Sequence, residues 1–112
     1  MIEESFVSFD TAKLLKEVGF NVPCEKWYGE SGFFMSGNYK ECKCPTQALT
    51  ARWLREEHNI FIQLNPTFDG WLLDLFDLKK HQYILTNKDV NADSYEQALE
   101  DGLQEAIKLI KK

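Results

Sequence analysis

The chain has 112 residues, 44% hydrophobic and 28% charged, the composition of one globular domain over 1–112 rather than of a disordered chain or several domains. Thirteen basic against eighteen acidic side chains leave a net charge of −5, the wrong sign for a surface that lives on nucleic-acid phosphates. Apolar runs such as Trp71–Leu73 are far too short for a membrane span, and the acidic start Met1-Ile2-Glu3-Glu4 is unlike a secretory leader.

Ser8 is placed to cap a helix over 9–18, in which Phe9, Ala12, Leu15 and Val18 recur at helical spacing. Gly19 suits the left-handed stop, with Phe20 folding back on the last turn. From 21 to 44 the periodicity fades. Aromatics set between Gly29, Gly32 and Gly37 predict two short strands, near 25–28 and 33–36, with a Gly-Glu-Ser-Gly turn between them. The stretch 37–44 reads as a linker.

Pro45 has the fixed φ of a first helical turn, and a helix follows from Thr46 to His58, closed by a left-handed Asn59. Leu49, Trp53, Ala48 and Ala51 form its predicted apolar stripe. Three strands come next. Ile60–Leu64 alternates Ile60, Ile62 and Leu64 against Phe61 and Gln63, and Trp71–Leu78 sets Trp71, Leu73 and Leu75 against Leu72, Asp74 and Phe76. In the third strand Tyr83 and Leu85 oppose Gln82, Ile84 and Thr86, and 86–93 reads as a second linker. Short connections make these a three-stranded antiparallel meander.

Its cover is a last helix that opens on the capping-box pattern Ser94-Tyr95-Glu96-Gln97. Tyr95, Ala98, Leu99, Gly102, Leu103, Ala106, Ile107 and Ile110 are expected to run along one face of it, while Gln104 is expected in water. Gly102 lies on the apolar stripe and implies a close approach of helix to sheet. The fold expected is α+β: helix, weak β-hairpin, helix, three-stranded antiparallel meander, and a C-terminal helix packed on the sheet.

Chemistry is harder to find. Cys24, Cys42 and Cys44 with His58 match a tetrahedral zinc set in number, but C-x-C is not the spacing of a zinc knuckle, and an odd, small set of cysteines suits reduced thiols in the cytoplasm. Lys40 and Lys43 beside them make a redox role the other thiol reading. His58 reads as a packing or capping residue and His81 as exposed. Asp69, Asp74 and Asp77 bracket a strand, but Asp74 and Asp77 differ in parity and read as solvated edge charges. No nucleophile elbow, zinc-protease helix or phosphate loop occurs, so no catalytic residue, enzyme activity or cofactor is expected. Helix, three strands and helix is also the order of several nucleic-acid modules. However, Asp93-Ser94-Tyr95-Glu96 is acidic where those modules hold phosphate, so direct nucleic-acid binding is not expected.

Trp27, Tyr28, Phe33, Phe34, Met35 and Tyr39 are more apolar surface than two glycine-rich strands readily hide. Aromatic residues anchor interfaces, so Trp27, Tyr28, Phe33, Phe34 and Tyr39 are the candidate contacts for a protein partner or for self-association.

Three blocks carry a resemblance: Ser8–Phe20, Pro45-Thr46-Gln47-Ala48-Leu49 with Arg52–Ile60, and Tyr95-Glu96-Gln97-Ala98-Leu99-Glu100. Together they make the chain similar to a family of small uncharacterised proteins encoded by phages and prophages of anaerobic gut bacteria. The resemblance brings no catalytic residues. It implies a cytoplasmic accessory protein of bacterial or phage origin. The readings left by the sequence are a non-enzymatic interaction module, a metal or thiol protein built on Cys24, Cys42 and Cys44, and an acidic decoy of a nucleic-acid-binding protein.

Overall fold

The computed structural model describes residues 2–29, 34–35 and 42–111. Among them the order is α1 (Phe9–Glu17), β1 (Trp27–Tyr28), β2 (Phe34–Met35), β3 (Cys42–Lys43), α2 (Gln47–His58), β4 (Ile60–Pro66), β5 (Trp71–Asp77), β6 (Gln82–Val90) and α3 (Tyr95–Lys111). The fold is α+β, with two antiparallel sheets ordered β2-β1-β3 and β4-β5-β6. No helix among the described residues is long and apolar enough to cross a membrane.

The end of α1 follows from its sequence. Ser8 Oγ accepts the Thr11 N–H at 3.2 Å. Gly19 takes φ +84°, so the Gly19 and Phe20 N–H groups bond back to Lys16 and Leu15 at 3.2 and 3.0 Å. That pair of bonds is a Schellman stop, and Phe20 is buried against Trp53 by it.

The small sheet departs from the expected hairpin. The two expected strands do pair, in the register Trp27↔Met35 and Tyr28↔Phe34, but Cys42–Lys43 adds a third strand on the other side of β1, inside the stretch read as a linker. Two residues are too few for periodicity to register. Pro45 also moves: it precedes the cap Thr46, whose Oγ1 accepts the Leu49 N–H at 3.1 Å, and its carbonyl accepts the Val7 N–H. The buried face of α2 is Gln47, Thr50, Trp53 and Leu54, rotated from the predicted stripe, and Ala48 is exposed. Two of those four side chains are polar, which is why apolar spacing missed the rotation.

In the main sheet β4 and β5 keep an unbroken register, from Ile60↔Asp77 to Pro66↔Trp71. β6 runs to Val90, through residues expected to be a linker, and carries two bulges. Its tail is polar because β6 is an edge strand with most of its residues exposed. The bulge at Ile84 separates Tyr83, opposite Phe76, from Leu85, opposite Leu75, so these two face opposite sides of the sheet rather than one.

Helix α3 is central. It meets α1 and α2 on one side and β4 and β5 on the other. An added Cβ at Gly102 falls 3.0 Å from Ile62 Cγ2 and 3.1 Å from Leu73 Cδ1, which is the close approach its position implied. Ser94 Oγ accepts the Gln97 N–H, but Gln97 reaches back to the Asp93 N–H at 3.0 Å, one residue before the cap. Gln104 is not in water: its Nε2 donates to Thr11 Oγ1 at 2.9 Å.

Candidate functional site

Cys42 lies in β3 of the small sheet, and Cys44 follows it directly. Cys42 and Cys44 are buried and Cys24 half-buried, all three reduced. Cys44 Sγ contacts the Val7 carbonyl at 3.6 Å, and Cys24 Sγ the Val22 carbonyl at 3.3 Å. Burial pushes the Cys44 thiol up to about 11, and burial raises Cys24 against the pull of Lys43. Both shifts run opposite to those of a reactive thiolate. His58 lies edge-on to Trp53 with ring centroids 4.6 Å apart, in the last turn of α2. Among the described residues no three His, Cys, Asp or Glu side chains gather as metal ligands.

The aromatic candidates divide. Tyr28 belongs to the core: its hydroxyl donates to the Val7 carbonyl at 2.8 Å, and its ring meets Phe9 edge-on at 5.4 Å. Burial raises the Tyr28 hydroxyl well above its ordinary range. Trp27 is half-buried, with Lys43 Nζ 5.8 Å from its ring centroid. Phe34 is described only as the strand partner of Tyr28, and Phe33 and Tyr39 lie outside the described residues.

A different surface gathers exposed aromatics. On the face of the main sheet turned away from α3, Phe61 pairs with Phe76 and Phe76 with Tyr83, a row of three rings across three strands. Phe76 and Tyr83 meet edge-on at 5.0 Å. Phe61 is 38% exposed and Tyr83 54%, with Phe76 half-buried between them. Beside the row Asp74 is buried, not solvated as its sequence position suggested. Its Oδ1 accepts the Asn87 N–H at 2.7 Å, at the second bulge of β6, where Asn87 has φ +53°. Its Oδ2 accepts from Asn65 Nδ2 at 3.2 Å. The carboxylate therefore closes the bulge and fixes the outer face.

Strand register leaves no lysine or arginine on this face. Lys88 lies opposite Leu73, so it points to the α3 side, and there it pairs with Glu105. Lys79 and Lys80 are in the β5–β6 turn, their N–H groups held by Asp77 Oδ1 at 2.9 and 3.0 Å. Alternation in the sequence already put Phe61 and Phe76 off the core face. Tyr83 joins them only through the bulge, which no residue pattern announced.

Comparison with protein-family models, with curated proteins and with solved structures finds no match for this chain.

Proposed function

We propose that this protein is a non-enzymatic protein-interaction module whose docking surface is the open face of β4–β5–β6. The observation that carries this reading is the row Phe61, Phe76 and Tyr83 aligned across three strands, with Phe61 and Tyr83 exposed and Phe76 half-buried between them. Rigid aromatics on a sheet supply contact area at little entropic cost, which is how interface anchors work. A nucleic-acid strand is a poorer occupant despite the stacking platform, because the face carries Asp74 and Asp89 and, among the described strand residues, no lysine or arginine to meet phosphate. The 27–39 segment takes a lesser part, since Tyr28 is committed to the core.

Three reduced cysteines and an acidic surface fit a reducing cytoplasm, and the likeness to phage and prophage proteins makes a bacterial or phage accessory role the natural setting. The test is a pull-down from a bacterial lysate with the intact chain, with Phe76→Ser/Tyr83→Ser, and with Trp27→Ser. Loss of a bound protein in the double variant alone supports the open face. Loss with Trp27→Ser alone moves the surface to the small sheet, and capture indifferent to both removes the module reading.

A further inference from the structure

The free edge of β4 borders a groove, and its backbone can be read from two hydrogen bonds. The Leu78 N–H reaches the Asn59 carbonyl and the Thr67 N–H the Gly70 carbonyl, both at 2.8 Å, at the two ends of the β4–β5 ladder. With the register unbroken between them, the positions of β4 bonded to β5 are 61, 63 and 65. The N–H and C=O groups of Ile60, Ile62 and Leu64 therefore point away from β5, to an edge on which no described strand lies. Pro66 falls in the same phase, so its missing N–H faces that edge, as suits a proline in an edge strand. Unlike β6, this edge has no bulge.

A groove of about 480 Å³ runs alongside, between β4, α2 and α3. Ile62 and Leu99 are its apolar floor, and Ala48 and Ala51 keep the α2 wall low. Its charges are lopsided: Glu3, Glu4 and Glu96 against Arg55.

We propose that this edge is a strand-addition site for an extended, lysine- or arginine-bearing segment of a partner protein, which pairs its main chain with Ile62 and Leu64 and sets its cations against the Glu3, Glu4 and Glu96 rim. Main-chain pairing supplies the affinity, and alternate side chains entering the groove supply the selectivity. Charge decides the occupant. Two copies of this chain paired edge to edge would bring two acidic rims of the same sign together, in molecules that already carry −5 each. This site goes beyond the open-face reading: it uses the edge of the sheet rather than its face, and Phe61 is the one residue that belongs to both.

The probe is a fluorescent eight-residue peptide alternating valine and lysine, titrated into the intact chain while amide exchange is followed by NMR. Binding is expected to slow exchange at Ile62 and Leu64. It is expected to weaken by roughly tenfold or more in Glu3→Lys/Glu4→Lys/Glu96→Lys, and to vanish when the same peptide is N-methylated throughout. Exchange in β5 shows that the variant remains folded. Phe76→Ser/Tyr83→Ser should leave peptide binding unchanged, which separates failure here from failure of the open face. The proposal is overturned by absence of binding below about 1 mM, by equal binding of the N-methylated peptide, or by protection of Ile62 and Leu64 without peptide in a chain that sediments as a dimer.

Discussion

The Glu100 carboxylate, in the second turn of α3, accepts the backbone N–H of Ser8 at 2.9 Å, although 92 residues separate them. The same oxygen takes the Thr11 hydroxyl, and Oε1 takes one N–H of the Gln47 amide at 2.9 Å. The second Gln47 N–H goes to the Glu96 carbonyl. One side chain thus ties the start of α1 and the start of α2 to the middle of the molecule, where negative charge suits both helix N-termini.

Glu100→Ala should therefore cost about 3 kcal/mol, because it removes the acceptor of the fully buried Thr11 hydroxyl hydrogen, of one N–H of the nearly buried Gln47 amide and of the Ser8 N–H. Asp101→Ala, one residue on and exposed, should change stability by no more than about 0.5 kcal/mol. Urea denaturation of the two variants makes the comparison, and equal midpoints would show that the junction is idle.

Gly102→Leu should destabilise by about 2 kcal/mol or more, since even its Cβ meets Ile62 and Leu73 at 3.0 and 3.1 Å. Gly102→Ala sets a gain of about 1 kcal/mol in helix propensity against the same contact and should come out close to neutral. Thermal unfolding of both variants reads the difference, and a leucine variant that melts with the wild type would mean that the helix stands off the sheet.

Leu103→Asp places a carboxylate at a position with no solvent exposure, and the penalty of several kcal/mol is comparable with the whole stability of such a domain, roughly 5–15 kcal/mol. Its control cannot be Gln104, which is bonded to Thr11, so Gln104→Asp should itself be measurably destabilising. Lys108→Gln, exposed in the same helix, is the near-silent control, and circular dichroism of the three variants at 25 °C orders them.

Cys44 titrates near 11 in the folded chain against 9.0 ordinarily. A thiol raised on folding contributes its full share below the unfolded value, and that share is lost as pH climbs from about 9 through 11. Urea midpoints should therefore fall over that window in the wild type, and fall less in Cys44→Ser. At neutral pH, iodoacetamide should label Cys42 and Cys44 only after denaturant is added, by intact mass; rapid labelling of Cys44 in the native chain would contradict its burial.

Asp77 is shifted the other way. The Lys80 and Lys79 N–H groups and their side-chain charges hold its carboxyl below the ordinary carboxylate range. Its contribution is present above the unfolded value and disappears as pH falls through the lower, folded one. NMR titration of the Lys79 and Lys80 amides should show a single acid transition below the ordinary aspartate midpoint, and Asp77→Asn should abolish it.

What the residues disclosed depended on whether one face of an element was uniformly apolar. α1, β4, β5 and α3 are of that kind, and their spacing and caps placed them within a residue or two. α2 hides Gln47 and Thr50, so its inner face did not look like one. The tail of β6 is polar on both sides, and β3 is two residues long; neither leaves a period to count. The proposed docking face suffered most. Phe61 and Phe76 stood out by parity, but Tyr83 reaches them through an extra residue at Ile84, and hydropathy carries no mark of a bulge that shifts register by one. Nothing local marks the role of Glu100, because its partners are 53 to 92 residues away in sequence.

The two bulges of β6 also set a limit on crowding. A sheet spreads from molecule to molecule only if each copy offers one edge and accepts at another, and an edge kinked at Ile84 and again at Asn87 breaks the ladder that a neighbour would have to follow. β4 alone cannot sustain such a chain of contacts. Growth through this sheet therefore has one regular edge to use, and a β4-to-β4 pairing would occupy it in both copies.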